Sequence, residues 1–140
     1  MDIFKRDVES LAARGDLRAL FKLLRGSDPV KRQQAALVLG SSGKDAVPFL
    51  IEALKDADKE VRTVAAGALI SIGPEAKSAV GTLIRALEDG YYFVRWNAAT
   101  ALGEIGDREA AQALGQLLDD EYAEVRQAAF AALKKMRWDD

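Results

Sequence analysis

The fold of this 140-residue chain is decided by residues 58–73, which read DKEVRTVAAGALISIG. Apolar residues recur in this stretch at the i, i+3, i+4, i+7 spacing of one helix face. Asp58 stands where an N-cap is expected, and Gly73 stands where a helix ends in the left-handed conformation. Residues 91–106, YYFVRWNAATALGEIG, carry the same Val-Arg, Ala-Ala, Leu and Ile-Gly in the same register. The stretch is therefore one copy of a repeat.

The repeat runs along the chain at intervals of 30, 33 and 31 residues. Its marker is an arginine, with an alanine three residues later, a leucine seven residues later and another leucine eight residues earlier. These columns are Arg32, Arg62, Arg95 and Arg126; Ala35, Ala65, Ala98 and Ala129; Leu39, Leu69, Leu102 and Leu133; and Leu24, Leu54, Leu87 and Leu118. Each period contains two amphipathic segments, which predict helix A, carrying the arginine, and helix B, which follows it. One such pair cannot bury its apolar stripe alone, so neighbouring pairs must stack.

The repeat predicts one continuous domain over residues 1–140. Residues 1–27 form a degenerate first copy in which Phe4 occupies the arginine column, full copies are expected over 28–57, 58–90 and 91–121, and a half copy over 122–140. We therefore predict an all-α fold, a right-handed α-α superhelix of about nine helices in four A–B pairs followed by a final A helix. Aspartates are expected to cap helices at Asp16, Asp28, Asp45, Asp58 and Asp107.

These residues resemble a known family, the short HEAT-like repeat of the phycobilisome-lyase type. The resemblance rests on Asp58-Lys59-Glu60-Val61-Arg62, Ala65-Ala66, Leu69 and Ile72-Gly73, is close over 28–137 and is loose over 1–27. It implies a HEAT-like α-solenoid whose B helices line the concave side. Members range from bilin-handling lyases to scaffolds, with deoxyhypusine hydroxylases and HEAT-like DNA glycosylases as distant relatives. The hydroxylases hold iron with His–Glu pairs, and this chain has no histidine.

The composition excludes several kinds of active site. The chain contains no cysteine and no histidine, so it cannot form a disulfide framework, a thiolate nucleophile, a zinc-finger site or a Ser-His-Asp triad. It also lacks the P-loop, dinucleotide and G-x-S-x-G motifs. Lys and Arg number 20 against 22 Asp and Glu, a balance that argues against a binding surface for nucleic acid. We therefore expect a non-enzymatic protein with no cofactor and no metal.

The two ends of the chain bear on location and assembly. Residues 1–7 carry alternating charges and no apolar core of a signal peptide, and no apolar run approaches the ~20 residues of a membrane span. These features predict a cytoplasmic protein that makes no membrane contact. Met136 and Trp138 are expected to fold back over the last helix as a cap, which favours a monomer.

The arginine column admits two interpretations. The arginines could form a row of phosphate-binding cations, or they could pair with helix-end carbonyls and with acids six residues before each arginine, namely Asp56, Asp89 and Asp120. A column that recurs with the period of the fold is explained by the fold. We therefore favour a structural ladder.

The B helices carry a second stripe on the side opposite the core leucines, at positions fourteen, ten and seven residues before each arginine. Its polar members, which we call the B-helix stripe, are Arg18, Lys22, Arg25, Glu52, Lys55, Arg85, Glu88, Gln112, Gln116 and Asp119. Their formal charge runs from +3 through 0 and 0 to −1 along the four copies. Such a gradient would orient a partner of opposite polarity. The alternative is an ordinary solvated face.

Aromatic residues give a further candidate surface. Tyr91, Tyr92 and Trp96 cluster with Phe93 where the other copies carry mostly polar or small residues. Trp96 departs from a column otherwise filled by Gln33, Thr63 and Gln127. We predict an aromatic anchor for a partner at Tyr91, Tyr92 and Trp96, with gap-filling between helices as the alternative. Glycines inside helices are expected to make room for such bulk, at Gly67, Gly81 and Gly115.

These observations predict an interaction module that binds a protein or peptide segment on its concave B-helix face. Two alternatives stay open. The resemblance permits a lyase-like or chaperone-like protein that handles a tetrapyrrole, and it permits a nucleic-acid-binding protein like the HEAT-like glycosylases. The nucleic-acid alternative is disfavoured because the stripe turns acidic towards the C-terminus.

Overall fold

The structure, a computed structural model, describes the backbone of residues 3–138 and the side chains of residues 7–137. This part of the chain forms nine α-helices and four short 3₁₀ turns, without a strand. The helices are α1 (Ile3–Arg14), α2 (Leu17–Leu24), α3 (Pro29–Ser41), α4 (Val47–Ala53), α5 (Lys59–Ile72), α6 (Val80–Ala86), α7 (Tyr92–Ile105), α8 (Ala111–Gln116) and α9 (Ala123–Trp138). Odd-numbered helices are the A helices and even-numbered ones the B helices. The predicted all-α solenoid is confirmed, while the side chains of Phe4 and Trp138 lie outside the described residues.

Aspartate side chains act as N-caps at four of the five predicted places, Asp16, Asp28 and Asp58 at α2, α3 and α5, and Asp107 at the 3₁₀ turn that leads into α8. Asp28 caps α3 by accepting from the N–H groups of Val30 and Lys31, and Asp58 caps α5 by accepting from Glu60 N–H at 2.8 Å. The predicted cap at Asp45 is wrong, because Asp45 lies inside the 3₁₀ turn Gly43–Ala46 that leads directly into α4. Backbone carbonyls of that turn already accept the first N–H of the helix, as Lys44 does for Val47.

Glycines end the A helices, eleven residues after each arginine-column position. Gly15, Gly43, Gly73 and Gly106 have φ angles of 65°, 70°, 69° and 78°, and they are the only described residues with positive φ. A residue without Cβ adopts this conformation at no steric cost. These glycines therefore fix the direction in which the chain leaves each A helix for the next B helix.

The A helices pack in order along the stack, α3 on α5, α5 on α7 and α7 on α9. Small side chains permit this close approach, and those with no exposed surface include Ala65, Ala66, Ala98 and Ala99. The leucines that follow them are equally buried at Leu39, Leu69 and Leu102. Each buried leucine contributes roughly 1.5–3 kcal/mol by leaving water, so the repeat columns carry much of the hydrophobic stabilisation.

The closest helix approach lies at glycines other than the predicted ones. A Cβ added at Gly103 would lie 2.9 Å from Ala132 Cβ, where α7 crosses α9. A Cβ added at Gly81 or Gly115 would meet nothing within 4 Å. The expectation that these two glycines make room for neighbouring bulk is therefore wrong, because their side of the helix faces open space.

The last A helix is only partly covered. Val125 and Ala129 have no exposed surface, and Met136 is buried. Met136 lies within α9, which continues as one helix to Trp138, so the predicted fold-back of the chain at these residues is wrong. Phe130 remains 62% exposed and Leu118 40% exposed, and both line a cleft of about 460 Å³ with Leu133. In the inner repeats, the residues at the equivalent repeat positions are covered by the helices that follow.

Candidate binding surfaces

The arginine column forms a ladder that links successive repeats. Arg62 donates from Nε to Asp89 Oδ2 at 2.7 Å and from Nη2 to Asp89 Oδ1 at 3.1 Å, while its Nη1 donates to the Asp56 carbonyl at 2.9 Å. Arg95 repeats this arrangement with the Asp120 carboxylate, at 2.8 and 3.1 Å, and with the Asp89 carbonyl, at 2.8 Å. The predicted acids are thus involved, but Arg62 and Arg95 each bind the carboxylate at the end of their own repeat, and only the backbone carbonyl of the predicted acid, which ends the preceding repeat. We call this arrangement the arginine–aspartate ladder.

Each ladder aspartate also fixes the turn in which it lies. Asp89 Oδ1 accepts from the N–H of Tyr91 at 2.9 Å, and Asp120 Oδ1 accepts from the N–H of Tyr122 at 3.0 Å. Burial would raise the pKa of Asp120, but the Arg95 hydrogen bond, the Tyr122 N–H and nearby positive charge outweigh it and lower the pKa. The hydrogen bond that Arg62 donates to Asp89, together with the negative charge of Asp89, correspondingly raises the pKa of Arg62 against the opposing effect of burial. Both directions indicate pairs that are held in their charged forms.

The first and last rungs differ from the inner two. Arg32 is 9% exposed, and its Nη2 donates to the Gly26 carbonyl at 2.6 Å, but its buried Nε has no hydrogen-bond partner. The carboxylate of Asp56, which would complete this rung, accepts instead from Arg25 Nε at 3.0 Å. Arg126 donates to the Asp120 carbonyl at 2.7 Å. The backbone carbonyl bond therefore recurs in all four rungs, which explains the column structurally.

All ten residues of the B-helix stripe are exposed. The structure brings four of them together in a cleft of about 430 Å³ between α6 and α8, namely Arg85, Glu88, Gln112 and Gln116. Glu109 lines the same cleft and was not predicted. It lies in the 3₁₀ turn Arg108–Ala110, outside the columns on which sequence reasoning depends. The cleft is polar at its rim and apolar at Ile84, Ala113 and Leu117.

A cluster of arginine and phenylalanine lies at the N-terminal end of the stripe. The rings of Phe21 and Phe49 lie 5.5 Å apart between α2 and α4. The Arg18 guanidinium lies 5.6 Å from the centre of the Phe49 ring, and the Arg25 guanidinium 5.3 Å from that of Phe21. Sequence reasoning did not single out either phenylalanine as a binding residue. The available signal was that Phe49 is the one aromatic in a column otherwise filled by Ala19, Thr82 and Ala113.

The predicted aromatic anchor is half-buried. Tyr92 stacks on Tyr122 with ring centres 4.4 Å apart, and Trp96 stacks on Phe93 at 5.5 Å. Lys59 of the preceding repeat lies 4.6 Å from the centre of the Tyr91 ring. Burial, together with the neighbouring Tyr91, Glu124 and Tyr122, raises the pKa of Tyr92. The aromatic group therefore joins three repeats and keeps part of its surface in contact with solvent.

Two further kinds of site are absent from the described residues. No helix in residues 3–138 has the length and apolar character needed to cross a membrane. No group of three or more acidic side chains in that part of the chain is arranged to hold a metal ion.

The comparisons with known proteins agree with this geometry. A sequence model of HEAT repeats matches residues 17–79 and 74–134, and no curated protein matches the chain. The fold is similar to a chain in the complex of CpcE and CpcF of phycocyanin lyase from Nostoc, with a TM-score of 0.75, 23% identity, and coverage of 88% of this chain and 79% of that one.

Two other solved structures are also similar. Human deoxyhypusine hydroxylase in complex with glycerol has a TM-score of 0.71 and 26% identity, over 94% of this chain and 47% of that one. A designed armadillo repeat protein in complex with the peptide (KR)4 has a TM-score of 0.66 and 22% identity, over 94% and 68%. The present chain thus spans about half of the hydroxylase. These likenesses place it among helical repeat solenoids, an architecture typical of protein-binding scaffolds.

Proposed function

Because the chain belongs to the HEAT-repeat family, we propose that it is a non-enzymatic interaction module that binds a protein or peptide segment along the B-helix stripe. The resemblance to HEAT-like repeats implies that the B helices line the concave side of the solenoid. An extended or helical segment lying along that side would contact all four B helices in turn.

One observation carries this proposal. The ten residues of the stripe are all exposed, whereas the inner members of the recurring columns are buried in the core or hydrogen-bonded in the ladder. The fold therefore accounts for the columns but does not require the side chains of the stripe. Polar residues at the rim and apolar residues at the floor of the α6–α8 cleft suit a peptide, which brings both kinds of group.

Two of the similar structures support a protein partner. The designed armadillo repeat protein is in complex with a peptide, and the phycocyanin lyase chain is in complex with another chain. Both are under 25% identical to this chain and so bear on the fold alone. They support the proposal by showing that solenoids of this shape accommodate protein ligands.

The test is affinity capture with quantitative mass spectrometry, using three forms of the full chain. The first is the wild type, and the second carries Arg18→Glu, Lys22→Glu and Arg85→Glu on the stripe. The third is a control with the same charge change at exposed lysines outside the stripe, Lys44→Glu, Lys77→Glu and Lys134→Glu.

We expect the stripe variant to lose partners that the control retains. A photo-crosslinker at Gln116 should attach to the same partners, and one at Gln127, exposed on α9, should not. Equal loss of partners in both triple variants would refute the proposed surface. So would cross-links from Gln127 but not from Gln116.

A further inference from the structure

We propose that the N-terminal end of the B-helix stripe binds an acidic peptide segment, held by Arg18, Lys22 and Arg25 against the rings of Phe21 and Phe49. We call these five residues the arginine–phenylalanine patch. The proposal rests on the proposed function, because it specifies the class of partner for one part of the same surface.

The patch is organised before a partner binds. The two rings lie 5.5 Å apart, and each has a guanidinium within 6 Å of its centre, Arg18 at Phe49 and Arg25 at Phe21. Stacking on a ring restricts a long side chain that would otherwise move freely in water. Less conformational entropy is therefore lost when a ligand binds to these two cations than when it binds to unrestrained ones.

The positive charge of the patch is only partly neutralised within the protein. Arg25 donates to Asp56 at 3.0 Å, yet its side chain remains 55% exposed. Arg18 and Lys22 form no ion pair with any carboxylate in residues 7–137. Carboxylates are the groups that a planar guanidinium binds best, through two parallel hydrogen bonds. Acidic side chains are thus the complementary ligand.

The solenoid itself does not need this patch. In the third repeat the positions of Arg18 and Phe49 are held by Gly81 and Thr82, and α6 forms there without either side chain. The fold therefore does not explain why arginine side chains stack on phenylalanine rings in the first two B helices. Ligand binding does explain it.

The rest of the stripe favours a short acidic peptide over a nucleic acid. Beyond the second repeat the stripe and its cleft present Glu88, Glu109 and Asp119 against a single cation, Arg85. A phosphate backbone that ran along the stripe would meet these carboxylates at close range. A peptide can carry acids at one end alone, and phenylalanine rings offer its apolar side chains a contact that phosphate does not use.

The structure also predicts a variant with increased affinity. Asp56 competes with any ligand for the guanidinium of Arg25, since its Oδ2 lies 3.0 Å from Nε. Asp56→Asn removes the competing charge and keeps an oxygen for the N–H of Asp58, which Asp56 Oδ1 accepts at 2.9 Å. The matched control is Asp89→Asn, the same change one repeat later in the ladder. It is not part of the patch.

The experiment measures fluorescence anisotropy of labelled probes against the full chain. The probes are an octapeptide of six glutamates and two phenylalanines, the same peptide with lysines in place of the glutamates, and an eight-nucleotide oligothymidylate. We expect the glutamate peptide to bind, and to bind less tightly as salt is added. Arg18→Glu should weaken binding about tenfold, and Phe49→Leu, which keeps apolar bulk without a ring, about threefold.

Two charge controls complete the set. Lys134→Glu, at an exposed position far along the chain, should change the affinity less than about twofold, while Asp56→Asn should improve it about threefold and Asp89→Asn should not. Melting curves of every variant confirm that the comparison is between folded proteins. Absence of binding by the glutamate peptide, tighter binding of the lysine peptide or the oligonucleotide, or equal effects of Arg18→Glu and Lys134→Glu would overturn the proposal.

Failure here is distinguishable from failure of the proposed function. If captured partners depend on the stripe but the glutamate peptide does not bind, the acidic class of ligand is wrong and the surface stands. If captured partners do not depend on the stripe, the surface itself is wrong, whatever the peptide does.

Discussion

Replacing Arg62 with methionine tests the arginine–aspartate ladder, because methionine keeps most of the apolar stem and removes every hydrogen bond. The side chain of Asp89 is 11% exposed and that of Arg62 21% exposed, so water only partly replaces the lost partner. Hydrogen bonds to charged groups contribute about 1.5–3 kcal/mol each, and leaving one partner of a buried pair costs about 3–5 kcal/mol. For this partly buried pair we expect a loss of about 3 kcal/mol, or roughly 10 °C in Tm for a chain of this length.

The matched control is Arg126→Met in the last rung. Arg126 is exposed and makes the carbonyl bond to Asp120 but, among residues 7–137, no bond to a carboxylate. Its replacement should cost less than about 1 kcal/mol. The difference between the two variants therefore reports the Asp89 carboxylate together with the second carbonyl bond of Arg62, to Ala57 at 3.0 Å.

The assay is urea unfolding followed by circular dichroism at 222 nm, repeated for Asp89→Asn and for the double variant Arg62→Met/Asp89→Asn. We expect a coupling energy of about 2 kcal/mol between the two residues. Equal losses at Arg62 and Arg126, or strictly additive losses in the double variant, would show that the bridge between Arg62 and Asp89 contributes nothing and would refute the reasoning.

Three further predictions concern other parts of the molecule. Gly103→Ala should lower stability by about 1–3 kcal/mol in thermal melts, because the added Cβ lies where α7 and α9 are in close contact. Gly115→Ala, where the added Cβ meets no neighbour, should raise stability by about 0.5 kcal/mol. Equal effects of the two substitutions would contradict this packing. The pKa of Asp120 is lower in the folded protein than its unfolded value of 3.8, so the ionised carboxylate stabilises the fold above that pH. This stabilisation is lost as the pH falls through the folded pKa. Asp120→Asn should therefore flatten the acid limb of a stability–pH curve below about pH 4, and an unchanged limb would exclude the linkage. Trp96→Ala should lower the free energy of unfolding by about 2 kcal/mol, less than full burial implies. In a Trp138→Phe background, iodide should partly quench the fluorescence of Trp96. Complete quenching with an unchanged Tm would favour an exposed anchor.

The fold could be predicted from the sequence because its signals are local and recur. Caps such as Asp28 and Asp58, and glycines such as Gly73, act within one turn of helix, so their places can be found without knowing the tertiary structure. The one misplaced cap, Asp45, fell in a loop short enough for a 3₁₀ turn to replace it. Repetition then gave independent copies of the same evidence.

Contacts between residues far apart in the sequence could not be predicted in the same way. The sequence identifies Arg62 and its acids, but the offset between stacked helices decides that Arg62 binds Asp89 and not the carboxylate of Asp56. The arginine–phenylalanine patch was not predicted for the same reason. Phe21 and Phe49 lie 28 residues apart in the sequence and come into contact only because α2 and α4 pack together. Periodicity places residues on a helix face but not opposite a particular neighbour.

The ladder has a consequence for how the chain unfolds. In a solenoid, stability divides into a contribution from each repeat and a contribution from each junction, and the balance between them decides whether repeats open singly or together. Asp89 and Asp120 each bind the arginine of their own repeat through the carboxylate. Each also accepts hydrogen bonds from the next repeat, at its carbonyl from Arg95 or Arg126 and at its carboxylate from the N–H of Tyr91 or Tyr122. Opening one repeat therefore removes a hydrogen-bond acceptor from the arginine of the next repeat, which shifts free energy from the repeats to the junctions. We therefore expect fraying to be penalised at these junctions and the repeats in residues 3–138 to melt as one cooperative unit.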